Sequence, residues 1–144
     1  MRKPSREQTL AKADFERLAE FRYQLRRFLR LSEQLTRERG ITTLQYQMLL
    51  QLKGFPGREW ASVGELAERL QAQPHGVVAL ISRCEAMGMV RRLANRADRR
   101  RVEIHLTAKG QRCVTALAAR HREELRSLQA SLGVPDLLAR AGEE

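Results

Sequence analysis

Residues 95–107, NRADRRRVEIHLT, break the rhythm of the chain around them. Elsewhere apolar residues recur at helical spacing. Here Val102, Ile104 and Leu106 alternate with Arg101, Glu103 and His105, the period of a strand with one buried face. The preceding MVRRL supplies a partner strand, so the arginine-rich segment between them is the tip of a hairpin. The expected fold is therefore mainly α with one small β-hairpin. The tip also gathers charge. From Arg91 to Arg101 there are six arginines against Asp98 alone, a local excess of +5 in a chain of net charge +10. Such a concentration favours a contact surface for a polyanion, nucleic acid before anionic membrane, over general solubility.

Helices account for the rest. From Asp14 to Leu35, the residues Phe15, Leu18, Leu25, Phe28, Leu29 and Leu35 form an apolar stripe, and Phe21, Tyr23 and Leu31 widen it to a second face. A helix of that kind must bury itself against more than one neighbour. RERG, ending at Gly40, supplies a basic last turn and a glycine stop. Thr42 or Thr43 then caps a second helix carrying Leu44, Met48, Leu49 and Leu52, which ends before the loop GFPG. Ser62 and Glu65 have capping-box spacing and open a short third helix with Val63, Leu66, Ala67 and Leu70 inward. After the turn QAQP, Pro74 suits the first position of a fourth helix, where its missing N–H costs nothing. Val77, Leu80, Ile81 and Cys84 form the inner face of that helix, and Gly88 ends it. Thr107 caps a long fifth helix with Val114, Leu117, Ala118, His121, Leu125, Leu128 and Leu132 on one stripe, and GVPDLLARA reads as a short final helix.

At 144 residues the chain is expected to form one domain, with terminal helices at about 8–40 and 108–144 flanking a lobe at about 43–107. Its longest apolar run is Val77 to Ile81, far too short to span a membrane, and MRKPSREQTL holds no apolar stretch for a signal peptide. A cytoplasmic protein without membrane contact is the expectation. Catalytic parts are missing from the sequence: there is no GxSxG, no P-loop and no glycine-rich dinucleotide turn. His75, His105 and His121 lack metal-ligand spacing with one another or with Cys84 and Cys113, so no enzyme, cofactor or metal is expected. His121 and Glu124, three residues apart, read as an ordinary solvated pair, and the two cysteines as reduced, buried thiols.

Two short helices joined by a tight turn and followed by a hairpin make a winged helix-turn-helix, a lobe suited to duplex DNA. The segments SVGELAERL, LISRCEAMGMVRR and DRRRVEIHLTAKG carry a closer likeness. They resemble the MarR family of bacterial transcription regulators, whose wing signature reads here as Asp98, Arg100, Leu106, Thr107 and Gly110. The resemblance spans about residues 14–132. It implies a homodimer built from the terminal helices, binding to a pseudo-palindromic operator, and release by a small-molecule effector or an oxidant. It also implies that Asp98 and Arg100 act as a wing pair, the acid orienting the guanidinium.

The residues themselves leave two readings of Asp98: a carboxylate that holds a guanidinium bidentately, or a plain turn-former. Arg96, Arg99 and Arg101 are phosphate contacts or solvated charges. On the fourth helix the outward positions are Gln73, His75, Gly76, Val78, Ala79, Ser82 and Arg83. The family often places hydroxyl and arginine residues near Val78 and Ala79, and this chain departs there. Base readout then falls mainly to Gln73, His75 and Arg83, with Val78 able to meet a thymine methyl. Trp60 either joins the core or lines an effector pocket between the terminal helices and the lobe. Two rivals stand beside the regulator: a winged-helix module that binds protein or RNA, and a redox sensor acting through Cys84 or Cys113, the latter near Lys109 at a helix start.

Overall fold

The computed structural model describes residues 9–131, with side chains to residue 128, so the anticipated final helix and Leu132 lie outside the described residues. In chain order the elements are α1 (Lys12–Glu38), α2 (Thr43–Lys53), β1 (Trp60–Ala61), α3 (Val63–Leu70), α4 (Pro74–Ala86), β2 (Val90–Ala94), β3 (Val102–Leu106) and α5 (Ala108–Ser131). The hairpin is there, but its sheet has three strands in the order β1-β3-β2, all antiparallel. β1 pairs Trp60 with His105 and Ala61 with Ile104. A two-residue strand after a glycine-rich loop has no periodicity to read, which is why the sequence reading lacks it.

Local chemistry explains where the helices begin. Thr42, not Thr43, caps α2: its hydroxyl accepts from the Gln45 amide at 3.1 Å, and the Gln45 side chain accepts from the Thr42 amide at 2.9 Å. Ser62 and Glu65 make the same reciprocal pair at the start of α3. The core lies where α2, α3, α4 and α5 meet the inner face of the sheet, around Met48, Leu49, Leu52, Leu66, Ile81, Ile104 and Val114. Among the described residues no helix is long and apolar enough to cross a membrane.

α1 leaves much of its apolar stripe uncovered within the chain, and α5 overturns one expectation. Of the α1 stripe only Leu35 is buried, with Phe28 half-buried, while Phe15, Leu18, Leu25 and Leu29 face outward. α1 meets the rest of the chain through Phe28 and Ser32, which both touch His121, and through Leu31 and Leu35, which join the core. His121 is buried, not solvated. Its Nδ1 donates to the Leu117 carbonyl at 2.7 Å, its Nε2 meets the Ser32 hydroxyl at 2.8 Å, and its ring stacks on Tyr46 at 4.5 Å. One imidazole thus ties α1, α2 and α5 together.

The wing is anchored at its base by Thr107. Its amide donates to the Met89 carbonyl at 3.0 Å, and its hydroxyl donates to the Gly88 carbonyl at 2.5 Å while accepting from the Gly110 amide at 3.1 Å. Gly88 makes the turn out of α4 in the left-handed region, at φ +73°. Gly110 is required by contact: a Cβ there would stand 2.0 Å from the Met89 carbonyl oxygen. Gly110→Ala must push α5 away from the base of the wing, and should destabilise the fold by roughly 1–3 kcal/mol or more, as overpacking of a filled site does. Gly76→Ala, whose Cβ would meet nothing within 4 Å, is the control and should melt close to the parent in a thermal scan.

Candidate nucleic-acid interface

α3 and α4 are held at their turn by main-chain bonds. Gln71 ends α3 in the left-handed conformation at φ 51°, and the Ala72 amide closes back on the Ala67 carbonyl at 3.0 Å. Glu65 steadies the other end of α3. Burial pushes its carboxyl up, but the Ser62 amide and hydroxyl and the Arg58 guanidinium outweigh that and hold it below the ordinary value. Arg58 pairs with Glu65 and lies over the rings of Phe55 and Trp60, at 4.4 Å and 3.8 Å. Trp60 is thus half-buried on β1, between Arg58 and the His105 ring.

Along α4 the inward set is as the periodicity requires, with Val77, Leu80, Ile81 and Cys84 buried. Gln73, His75, Gly76, Val78, Ala79, Ser82 and Arg83 are all exposed. Ser82, expected to be free for recognition, is engaged: its hydroxyl accepts from Arg92 Nη2 at 2.9 Å.

The hairpin pairs Val90 with Leu106 at its base and Ala94 with Val102 at its end, which leaves residues 95–101 as the tip. This tip is organised by its own side chains. The Asn95 amide donates to the Arg101 carbonyl at 2.9 Å, and the Asn95 side-chain oxygen accepts from the Ala97 and Asp98 amides at 2.9 Å and 3.0 Å. Asp98 Oδ1 accepts from the Arg100 amide at 3.0 Å, and the Asp98 carbonyl accepts from the Arg101 amide at 3.0 Å. Among the described residues Asp98 forms no ion pair, so its carboxylate grips the backbone of Arg100 and not its guanidinium. The geometry is that of an Asx turn. Positioning of Arg100 runs through the main chain.

A second layer lies behind the tip. Asn95 Nδ2 donates to Glu103 Oε2 at 2.7 Å, and Glu103 Oε1 meets His105 Nε2 at 2.9 Å. Sequence reasoning misses Asn95, Glu103 and Arg92. Asn95 carries a faint signal as a turn residue, but Glu103 and Arg92 act across strands or between elements, where one-dimensional spacing is silent. Arg96, Arg99, Arg100 and Arg101 are exposed, and none forms an ion pair among the described residues. Nor do the described residues hold any group of three His, Cys, Asp or Glu able to bind a metal.

Residues 39–101, from the end of α1 to the wing tip, match the sequence model of the MarR family. This lobe belongs to the MarR family. No curated protein matches the chain significantly by sequence. Solved structures share the fold over most of the chain. AbsC, a MarR family transcriptional regulator from Streptomyces coelicolor, is similar with a TM-score of 0.74 and 22% identity over 91% of this chain and 88% of its own. A variant of MepR from Staphylococcus aureus, bound to an oligodeoxyribonucleotide, gives 0.63 and 24% over 81% and 83%. BpsR from Bordetella bronchiseptica, whose DNA binding is regulated by 6-hydroxynicotinic acid, gives 0.61 and 21% over 74% of each chain.

The MarR wing signature acquires physical content here. Asp98 folds the tip, Leu106 enters the core, Thr107 caps α5 on the base of the wing, and Gly110 is the residue that fits against Met89. Both cysteines, Cys84 and Cys113, are buried as free thiols. Burial first, and nearness to Cys113 second, push the Cys84 thiol from 9.0 to about 11. Burial also raises Cys113, against the opposing pull of Arg39 and Lys109. At about pH 8 both thiols should therefore react with an alkylating reagent only as fast as the chain opens. The folded-state value of Cys84 lies above the unfolded one, so its contribution to stability is whole below about pH 9 and is lost as pH rises toward 11. Denaturant titrations at about pH 8 and about pH 10.5 check that sign.

Proposed function

We propose that the chain is a sequence-specific, duplex-DNA-binding transcription regulator that acts in the cytoplasm as a homodimer on a pseudo-palindromic operator. It represses until a small ligand releases it. The observation that carries this reading is the wing tip, where Arg96, Arg99, Arg100 and Arg101 stand exposed on a loop shaped by its own hydrogen bonds. A phosphate backbone supplies the counter-charge, and release of its condensed cations drives association. α4 then lies in the major groove, where Gln73, His75 and Arg83 supply hydrogen bonds and Val78 meets a thymine methyl. The wing reaches the flanking minor groove or phosphates.

The division of labour follows the lobe boundaries, with residues 43–107 reading DNA and about 8–40 and 108–144 assembling the dimer. Phe15 (54% exposed), Leu18, Leu25 and Leu29 on α1, with Leu125 on α5, form apolar surface that a second copy covers in an isologous pair. The oligonucleotide-bound MepR variant and ligand-regulated BpsR are precedents for the DNA and for the effector. The exposed Val78 and Ala79 favour one rival, a module that docks on protein. That rival lacks the steep salt dependence of DNA binding.

The test is selection of bound duplexes from a random pool, followed by affinity across a salt series. Arg100→Ala should weaken binding and flatten the slope by about one unit for each phosphate that is no longer neutralised. Asp98→Ala removes the tip's one acid, so a plain charge patch would bind DNA more tightly. With the Arg100 amide released, binding should instead weaken by about 1–3 kcal/mol with the slope nearly unchanged. Tighter binding by Asp98→Ala would reduce the wing to undirected charge.

A further inference from the structure

We infer that Arg92 is a positioning residue that sets the angle between the recognition helix and the wing, and so the relative placement of these two elements on DNA. The inference rests on the DNA-binding reading above and extends it to a residue that touches neither groove. Arg92 stands on β2 directly opposite Ile104, on the sheet face turned toward the helices. From there its guanidinium reaches α4 at two points. Nη1 donates to Glu85 Oε1 at 2.7 Å, and Nη2 donates to the Ser82 hydroxyl at 2.9 Å. Ser82 and Glu85 are three residues apart, neighbours on one helix face, and the planar fork spans them as a single rigid bridge.

The bridge matters because of how little else links the two elements. The wing leaves α4 through the turn at Met87–Met89, and Thr107 and Lys109 secure only that base. Beyond the base, among the hydrogen bonds of the described residues, the two from Arg92 are those that join the side chains of α4 to β2. β1 holds the β3 side of the hairpin at His105 and Ile104, which leaves β2 as the outer edge, and a small rotation of that edge against α4 is magnified at the tip. Two bonds to a fixed helix face remove that freedom before DNA arrives, which lowers the ordering cost of binding. The bridge also assigns Ser82 to setting this angle, leaving Gln73, His75 and Arg83 to the bases.

Both partners of the ion pair are partly exposed, Arg92 at 33% and Glu85 at 42%, so removing either leaves the core and the fold intact. The test uses the full chain and the duplex that the parent selects from a random pool. Arg92→Lys keeps the charge but offers one ammonium in place of a fork. It should bind about two- to fivefold more weakly, with the parent's salt slope and with relaxed preference only at the flanking positions nearest the wing. Glu85→Gln removes an acid from the side facing DNA, yet should weaken binding to a similar extent. The double variant should lose little more than either single one, since the two residues act together. Arg92→Lys binding with the parent's affinity and flank preference, or Glu85→Gln binding more tightly, would overturn the positioning role while leaving the DNA reading in place. A parent chain that selects no duplex would overturn both.

Discussion

The carbonyl of Met89 is the point on which the wing depends. It accepts the Thr107 amide, and the α-carbon of Gly110 packs against it with no room for a methyl group. This close approach joins the turn that leaves α4 to the start of α5. Through that junction the end of α4, the base of the hairpin and the start of α5 are joined, with Thr107 bonding to both sides of it. A backbone-to-backbone approach of this kind leaves little scope for substitution at Gly110. It also lets any displacement of α5 pass directly into the base of the wing.

Beyond that junction the structure manages a conflict between charge and order. Arginines crowded on a hairpin tip repel one another, and the usual remedy is to pair them with acids. The chain keeps the acids for other tasks. Asp98 binds a backbone amide, while Glu103 binds the Asn95 and His105 side chains and Glu85 binds Arg92, below the tip, so the tip guanidinia themselves are left without an acid among the described residues. A tip prepared this way meets a polyanion with its shape already set. In isolation each of these hydrogen bonds is worth on the order of 1 kcal/mol, and their value lies in fixing one conformation.

Much of this is legible in the sequence wherever the signal is local. Ser62 and Glu65, Pro74 and Gly88 mark helix ends that the structure reproduces, and alternation through Val102, Ile104 and Leu106 places the second wing strand. Charge and periodicity also locate the wing cluster and the outward face of α4. What stays hidden is relational. β1 exists only because Trp60 and Ala61 lie beside β3, and the partner of Asp98 is an amide, which has no letter in the sequence. His121 has a polar identity and a buried position, and its pairing with Ser32 lies eighty-nine residues away along the chain. The α1 stripe shows the converse limit, since periodicity announces that a face is apolar without naming what covers it.

The central claim is that the wing tip is organised before DNA arrives. Amide hydrogen exchange of the free protein, read residue by residue, tests it most directly. The Ala97, Asp98 and Arg100 amides, each bonded to a side-chain oxygen of Asn95 or Asp98, should exchange at least about tenfold more slowly than in an unstructured peptide, and Asn95→Ala should abolish the protection of Ala97 and Asp98. Exchange of all three at the unstructured rate in the parent protein would mean that the tip takes shape only on DNA, and would contradict the account.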